Sequence, residues 1–200
     1  MKRRSNLFRH DSGSSAAEFA LVLPLLILFL LGILDGGRFL WEVNQAEKAT
    51  QAGARVAVVT DVISTSLGTQ NYVGVGGLTQ GDLIPASALG TLRCTRSACT
   101  CTGTCPSGFA TANATSFDRV VTRMRYMKPD INANNVSITY RGSGLGFAGD
   151  PNGMEIAPLV TVELNGVQFR PLVLFNAVAF NLPAFRTTLT SEDSSGINSN

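Results

Sequence analysis

The sequence predicts an α+β fold in which a long N-terminal transmembrane helix continues into a small outer domain built on an antiparallel sheet. Three observations support this prediction: an uncharged apolar run near the N-terminus, a helical pattern that continues beyond it, and short stretches of alternating apolar and polar residues toward the C-terminus. The 200 residues are 44% hydrophobic and only 15% charged, which excludes a disordered acidic tail and a coiled coil.

The apolar run is long enough to cross a membrane. It reads FALVLPLLILFLLGIL over residues 19–34, and extending it back to Ser14 adds only one charged residue, Glu18. As a helix, residues 14–34 would measure roughly 31 Å, about one hydrocarbon thickness. Four basic residues precede the run and no such cluster follows closely, so residues 1–13 are predicted to be cytoplasmic and the chain after residue 34 to lie outside.

A cleaved secretory signal is the main alternative, because it also begins with a basic segment followed by an apolar one. The run is longer than in a usual signal, and the sequence from Asp35 to Trp41 offers no A-x-A-like cleavage site. We therefore predict a transmembrane helix over residues 14–34 and a helix extension over residues 35–63. Increasingly small residues recur on one face of the extension and would pack on the protein's own sheet or on neighbouring helices.

The sequence around Glu18 resembles a type IV prepilin processing site. Gly13 stands between the basic leader and the apolar helix, and Glu18 follows five residues later. The resemblance implies that a membrane-embedded peptidase cuts after Gly13 and exposes the amino group of Ser14. A carboxylate and an ammonium are each costly in a low-dielectric layer and tolerable together, and in pilins the amine belongs to the neighbouring subunit. Glu18, with Phe19 beside it, would then register one subunit on the next. The alternative is that Glu18 lies in the headgroup layer.

Cleavage would also remove most of the positive charge. The leader contains four basic residues and one acidic residue, so a net charge of +2 would become about −1. Nucleic-acid binding needs a basic patch, and this one would stay in the leader. We therefore expect no nucleic-acid partner.

The first 60 residues are similar to the TadE-like minor pilins, or pseudopilins, of the tight adherence (Tad/Flp) pilus system. The similarity rests on the leader with Gly13 and on the segments EFALVLP (residues 18–24), DGGR (35–38) and QAGAR (51–55). It implies a pilin-like fold, held in the inner membrane with a periplasmic C-terminal domain and able to enter the extracellular pilus. The implied partners are a prepilin peptidase, other pilin or pseudopilin subunits, the pilus assembly platform and the membrane.

Residues 64–114 are predicted to form an irregular loop that contains all four cysteines: Cys94, Cys99, Cys101 and Cys105. In the topology above these cysteines face an oxidising compartment, where two disulfides are the expected state. Three pairings are open, and the one that joins Cys99 to Cys101 is sterically unattractive. A four-thiolate zinc site is the alternative, which the C-x-C spacing fits poorly.

Residues 115–200 are predicted to form the small α+β outer domain. An amphipathic helix begins near Thr115 and ends before Pro129. Strands are predicted at residues 136–140, 160–164, 167–169 and 185–190. Residues 171–182 are strongly apolar and fit a short helix, a loop core or a membrane-apposed surface equally well.

The sequence offers little for catalysis and no motif for a metal or a cofactor. The one histidine, His10, lies in the leader, so the mature chain lacks Ser-His and Cys-His pairs. The glycine-rich run at residues 141–149 contains G-x-G-x-x-G, but Asp150-Pro151 stand where a phosphate-binding helix would begin, so an inter-strand loop is predicted. We expect a non-enzymatic pilus assembly subunit involved in adherence, without a small-molecule substrate. The alternative is an unprocessed, single-pass membrane-anchored binding module of the cell envelope.

Overall fold

The computed structural model describes residues 14–173 and 178–191. These residues form two compact units, one containing the chain up to Trp41 with Phe169–Phe180, the other containing Glu42–Gln168 and the chain from Asn181. Helix α1 (Ser14–Ala57) is the longest element. The predicted α+β class, with a long N-terminal apolar helix followed by a small antiparallel-sheet domain, is confirmed.

The described strands are β1 (Thr91–Cys94), β2 (Cys99–Thr102), β3 (Val136–Arg141), β4 (Leu159–Leu164), β5 (Gln168–Phe169), β6 (Phe180–Asn181) and β7 (Phe185–Thr190). A five-stranded antiparallel sheet with the order β2-β1-β3-β4-β7 is the main element of the second unit. Its apolar face includes Ile138, Tyr140 and Val162, which are at most 1% exposed, because side chains alternate across a strand. Strands β5 and β6 form a separate pair.

The prediction of an irregular loop over residues 64–114 is wrong for its second half. Strands β1 and β2 lie there and extend the sheet, with Cys94 opposite Ile138 of β3. A short helix, α2 (Thr65–Gly68), also lies in this segment. Each strand has four residues, so alternation places only two side chains on each face and leaves no readable period. Strand β1 also pairs with β3, which lies more than 40 residues further along the chain, and a local sequence pattern does not reveal so distant a pairing.

All four cysteines form disulfides, within the β1–β2 hairpin or between β2 and the residues that follow it. Cys94 is joined to Cys99, and Cys101 to Cys105. The hairpin register places Cys94 directly opposite Cys99, and Cys94 is fully buried. The structure therefore selects, among the open pairings, the one that closes two short loops.

Helix α1 ends at Ala57, before the predicted end of the helix extension at residue 63. The residues that follow, Val58, Val59 and Thr60, are β-branched and so favour the helix less. The hydroxyl of Thr60 donates to the carbonyl of Val56 at 2.8 Å and thereby satisfies an acceptor at the helix end.

The small residues of α1 beyond residue 42 pack within the second unit. Ala49 is fully buried, and Thr50 Oγ1 lies 3.0 Å from Thr187 Oγ1 of β7. A Cβ added at Gly53 would lie 2.7 Å from Cγ of Met124 in helix α3 (Ala114–Arg125). The sequence left two packing partners open for the small-residue face of the helix extension. Beyond residue 42 this face packs on the protein's own domain.

Helix α3 bears out the predicted amphipathic helix near Thr115. The Asn113 side chain accepts hydrogen bonds from the amides of Thr115 (3.0 Å) and Ser116 (3.2 Å), which would otherwise lack partners at the helix start. The face formed by Phe117, Val120, Val121 and Met124 is buried, as its spacing predicts.

A buried lysine lies just after α3. The side chain of Lys128 is 2% exposed, and its Nζ donates to Glu42 of α1 and, at 3.0 Å, to Asp130. A buried ammonium is tolerated only when it is paired and hydrogen-bonded. The two carboxylates meet that requirement and connect α1 to the turn before β3.

The glycine-rich loop between β3 and β4 is fixed by backbone pairing rather than by a following helix. Gly146 bridges Ile156, and Phe147 bridges Leu83. Gly146 has a φ of 115°, and a Cβ there would lie 2.2 Å from the carbonyl oxygen of Glu155. Only glycine fits this close approach of two backbones.

Candidate functional site

The first half of helix α1 is apolar and uncovered by the rest of the described chain. No residue in its most apolar 18-residue window is buried, and Leu21 and Leu25 are 76% and 68% exposed. By length and composition this helix can span a membrane. In water such a surface would far exceed the few hundred Å² that a soluble monomer exposes, so it requires a lipid or protein environment.

The predicted processing and assembly residues lie at the start of this helix. Ser14 is its first residue, and Gly13 lies outside the described residues. Glu18 is exposed one turn further along, about 6 Å up the axis from Ser14, and Phe19 is 62% exposed. Residues four apart share a helix face, so Glu18 presents its carboxylate on the side of the mature N-terminus that cleavage would create. The role of each of these residues stays a prediction.

Asp35 has a structural role that sequence reasoning missed. It is 7% exposed, and its two carboxylate oxygens accept hydrogen bonds from the backbone amides of Leu172 and Val173, each at 2.8 Å. The guanidinium of Arg38, one turn along α1, donates to the same carboxylate at 3.1 Å. Asp35 therefore ties a segment 137 residues later in the sequence to the end of the apolar helix.

Arg38 and Phe39 complete this contact within the first unit. The Arg38 guanidinium lies 5.6 Å from the centre of the Phe169 ring and 3.5 Å from the carbonyl oxygen of Arg170. The Phe39 and Phe169 rings meet edge to face, with centres 5.5 Å apart, a favourable geometry for aromatic pairs. The DGGR motif was noted in the sequence as a family signature. Its first and last residues, Asp35 and Arg38, hold residues 169–173 on α1.

The charge state of Asp35 follows from these contacts. Burial raises the pKa of its carboxyl, but the hydrogen bonds from Val173, Leu172 and Arg38 and the positive charge of Arg38 outweigh burial and hold the pKa below its ordinary value. The carboxylate is therefore ionised at neutral pH, and in this form both of its oxygens can accept a strong hydrogen bond from a backbone amide.

Replacing Asp35 with asparagine is expected to release this segment. Asparagine offers one acceptor oxygen instead of two and loses the attraction to Arg38, so the amides of Leu172 and Val173 should exchange with solvent hydrogen roughly tenfold faster. Hydrogen exchange of the full chain in detergent micelles measures this. Asp82→Asn is the matched control, because Asp82 also accepts a loop amide, from Thr79 at 2.6 Å, but in the other unit.

The same contact should depend on pH. The pKa of Asp35 is lower in the folded chain than the ordinary aspartate value of about 3.9. The stabilisation that Asp35 gives to the bound segment is therefore fully present above that ordinary value, and it is lost as the pH falls through the lower pKa of the folded state. In the wild type, the protection of the Leu172 and Val173 amides from hydrogen exchange, corrected for the intrinsic exchange rate, should fall in this acidic range. In Asp35→Asn it should not depend on pH in this way. Unchanged protection in both the variant and acid would contradict the assigned role.

Residues 13–55 match the family model described as TadE-like protein, which confirms the resemblance seen in the sequence. The match includes Gly13, Ser14, Glu18, Asp35 and Arg38 and stops before the sheet and the cysteines. No curated protein and no solved structure matches the chain.

Proposed function

From the TadE-like sequence of residues 13–55, we propose that this chain is a minor pilin or pseudopilin that helps to assemble or prime a Tad/Flp-type pilus involved in adherence. The observation that carries the proposal is the exposed apolar helix with Glu18 one turn after Ser14. It supports a subunit that acts by helix packing rather than by catalysis.

The proposal accounts for the two environments that such a subunit meets. Before assembly, lipid would cover the uncharged surface of residues 19–34, and an α-helix satisfies its own backbone groups there. In a pilus, helices of neighbouring subunits would cover the same surface, and van der Waals packing would replace lipid contacts. The basic leader favours a cytoplasmic N-terminus, which leaves the sheet domain in the periplasm with its disulfides in an oxidising compartment.

The proposed partners follow from these steps. A prepilin peptidase would cut after Gly13 in the inner membrane. Other pilin or pseudopilin subunits and the assembly platform would then bind the mature helix. Glu18 would pair with the amine of an adjacent subunit, because an isolated carboxylate in an apolar layer is costly and a paired one is tolerable.

Recovery of the protein from membranes of its native host is expected to give a chain that starts at Ser14. Intact mass and N-terminal sequencing measure this, and Gly13→Leu should leave the leader attached, whereas the neighbouring Ser12→Ala should be processed normally. A wild-type start at Met1 would contradict the proposal and favour an unprocessed, membrane-anchored binding module. A start beyond residue 34 would contradict it differently, by making the apolar segment a secretion signal.

A further inference from the structure

The first unit exposes large apolar side chains just beyond the predicted span. Leu40 and Trp41 of α1 are 68% and 67% exposed, and Leu172, Val178 and Phe180 are 40–51% exposed. These five residues are here called the apolar collar. All belong to the unit that contains the apolar helix.

The height of this collar along α1 can be estimated from helix geometry. The span ends at Leu34, and with a rise of 1.5 Å per residue Phe39 lies roughly 7.5 Å and Trp41 roughly 10 Å further along the axis. The headgroup region adds about 5–7 Å on each side of the hydrocarbon core. Helix side chains tilt toward the N-terminus, which brings both rings back toward the core. Phe39 and Trp41 therefore reach the headgroup layer when residues 14–34 span the membrane.

The contacts of Asp35 and Phe39 bring the later segment to the same height. Asp35 directly follows the span and binds the amides of Leu172 and Val173, and Phe39 packs on Phe169. Strand β6, which contains Phe180, pairs with β5, which contains Phe169. Leu172 and Phe180 thus lie beside α1 just beyond its apolar run.

Two further features favour a membrane as the occupant of this surface. Successive residues of a helix are turned by about 100°, so Leu40 and Trp41 lie on other sides of α1 than Asp35. The apolar residues are therefore distributed around the helix, as a surrounding bilayer would require. Tryptophan is itself enriched at this level of a membrane.

We propose that the apolar collar inserts into the headgroup layer on the outer side of the membrane and gives the chain a second membrane contact, made by a segment near its C-terminus. The proposal rests on the membrane-spanning part of the proposed function. For the described part of residues 171–182, which is 171–173 and 178–182, it assigns one of the three alternatives left open, a membrane-apposed surface.

The single tryptophan of the chain makes a direct test practical. In Trp41→Phe/Phe180→Trp, the only indole reports the collar. The full-length variant is placed in vesicles of phosphatidylethanolamine and phosphatidylglycerol that contain lipids brominated either near the headgroup or deep in the acyl chains. Shallow bromines are expected to quench this tryptophan about twofold or more, and more strongly than deep ones, as for an interfacial residue.

Two matched variants in the Trp41→Phe background make the result decisive. Tyr126→Trp places the indole at a 73% exposed site in the other unit and should be quenched less by the same lipids. Leu30→Trp places it within the span and should be quenched most by deep bromines. Quenching of Phe180→Trp by aqueous acrylamide but by neither bromine position would overturn the proposal that the collar inserts into the membrane. Protection of this tryptophan from all three quenchers would overturn it too, because it would mean that protein covers the collar. Failure of Leu30→Trp to respond to deep bromines would overturn the span and the collar together.

Discussion

Glu18→Ala is expected to lower incorporation of the subunit into pili by at least about tenfold while leaving its insertion into the membrane unchanged. The proposed partner of Glu18 is the amine of an adjacent subunit in an apolar layer, where an ammonium without a counter-charge is costly. Insertion does not need the carboxylate, because the span is already apolar and alanine is less costly there than glutamate. The measurement compares the amount of subunit in sheared pili with the amount in membranes.

Two further variants separate charge from shape. Glu18→Gln keeps the size of the side chain and removes its charge, so it should behave like Glu18→Ala if charge pairing is the mechanism. Glu47→Ala removes the other exposed glutamate of α1 and should assemble normally. Normal amounts of Glu18→Ala in pili would refute the registry role, and a parallel loss from membranes would show that the defect is one of folding or insertion.

Lys128→Ala is expected to lower the free energy of unfolding of the second unit by about 3 kcal/mol. The variant loses a side chain that is 2% exposed and leaves Glu42 and Asp130 side by side without their cation. Burial alone would lower the pKa of Lys128, but its hydrogen bonds and charge interactions with Glu42 and Asp130 raise it. The expected loss lies at the low end for a broken buried pair, because the two carboxylates are 31% and 65% exposed and keep part of their hydration. Urea unfolding of the full chain in micelles, followed by circular dichroism, measures the change.

An exposed ion pair provides the comparison. Arg96 donates to both carboxylate oxygens of Asp118 at 2.8 Å, yet the two side chains are 56% and 44% exposed. Arg96→Ala should therefore lower the free energy of unfolding by less than about 1 kcal/mol, although Arg96 forms two hydrogen bonds with its partner. Equal losses in Lys128→Ala and Arg96→Ala would contradict the argument that burial gives the Lys128 cluster its importance.

Local features of the sequence were sufficient for the α+β class, the apolar helix, the amphipathic helix α3 and strands β3, β4, β5 and β7, but not for the two-residue strand β6. Each depends on a pattern within about 20 residues: an uncharged run, apolar residues at helical spacing, or alternation along a strand. The same holds for the TadE-like resemblance, whose matched residues 13–55 are contiguous. Prepilin processing and the role of Glu18 were likewise proposed from local sequence and await the experiments above.

The sequence by itself thus determined that this protein has a helix able to cross a membrane, a Gly13–Glu18 spacing that resembles a prepilin site, and a domain built on antiparallel strands. Only the tertiary structure decided that α1 stops at Ala57, that β1 and β2 join the sheet, that Cys94 is opposite Cys99, and that Asp35 binds the amides of Leu172 and Val173. The physical reason is the distance along the sequence over which each interaction acts. Hydropathy and helical period act between near neighbours, whereas a strand register or a buried carboxylate depends on partners that only folding brings together, in the case of Asp35 across 137 residues.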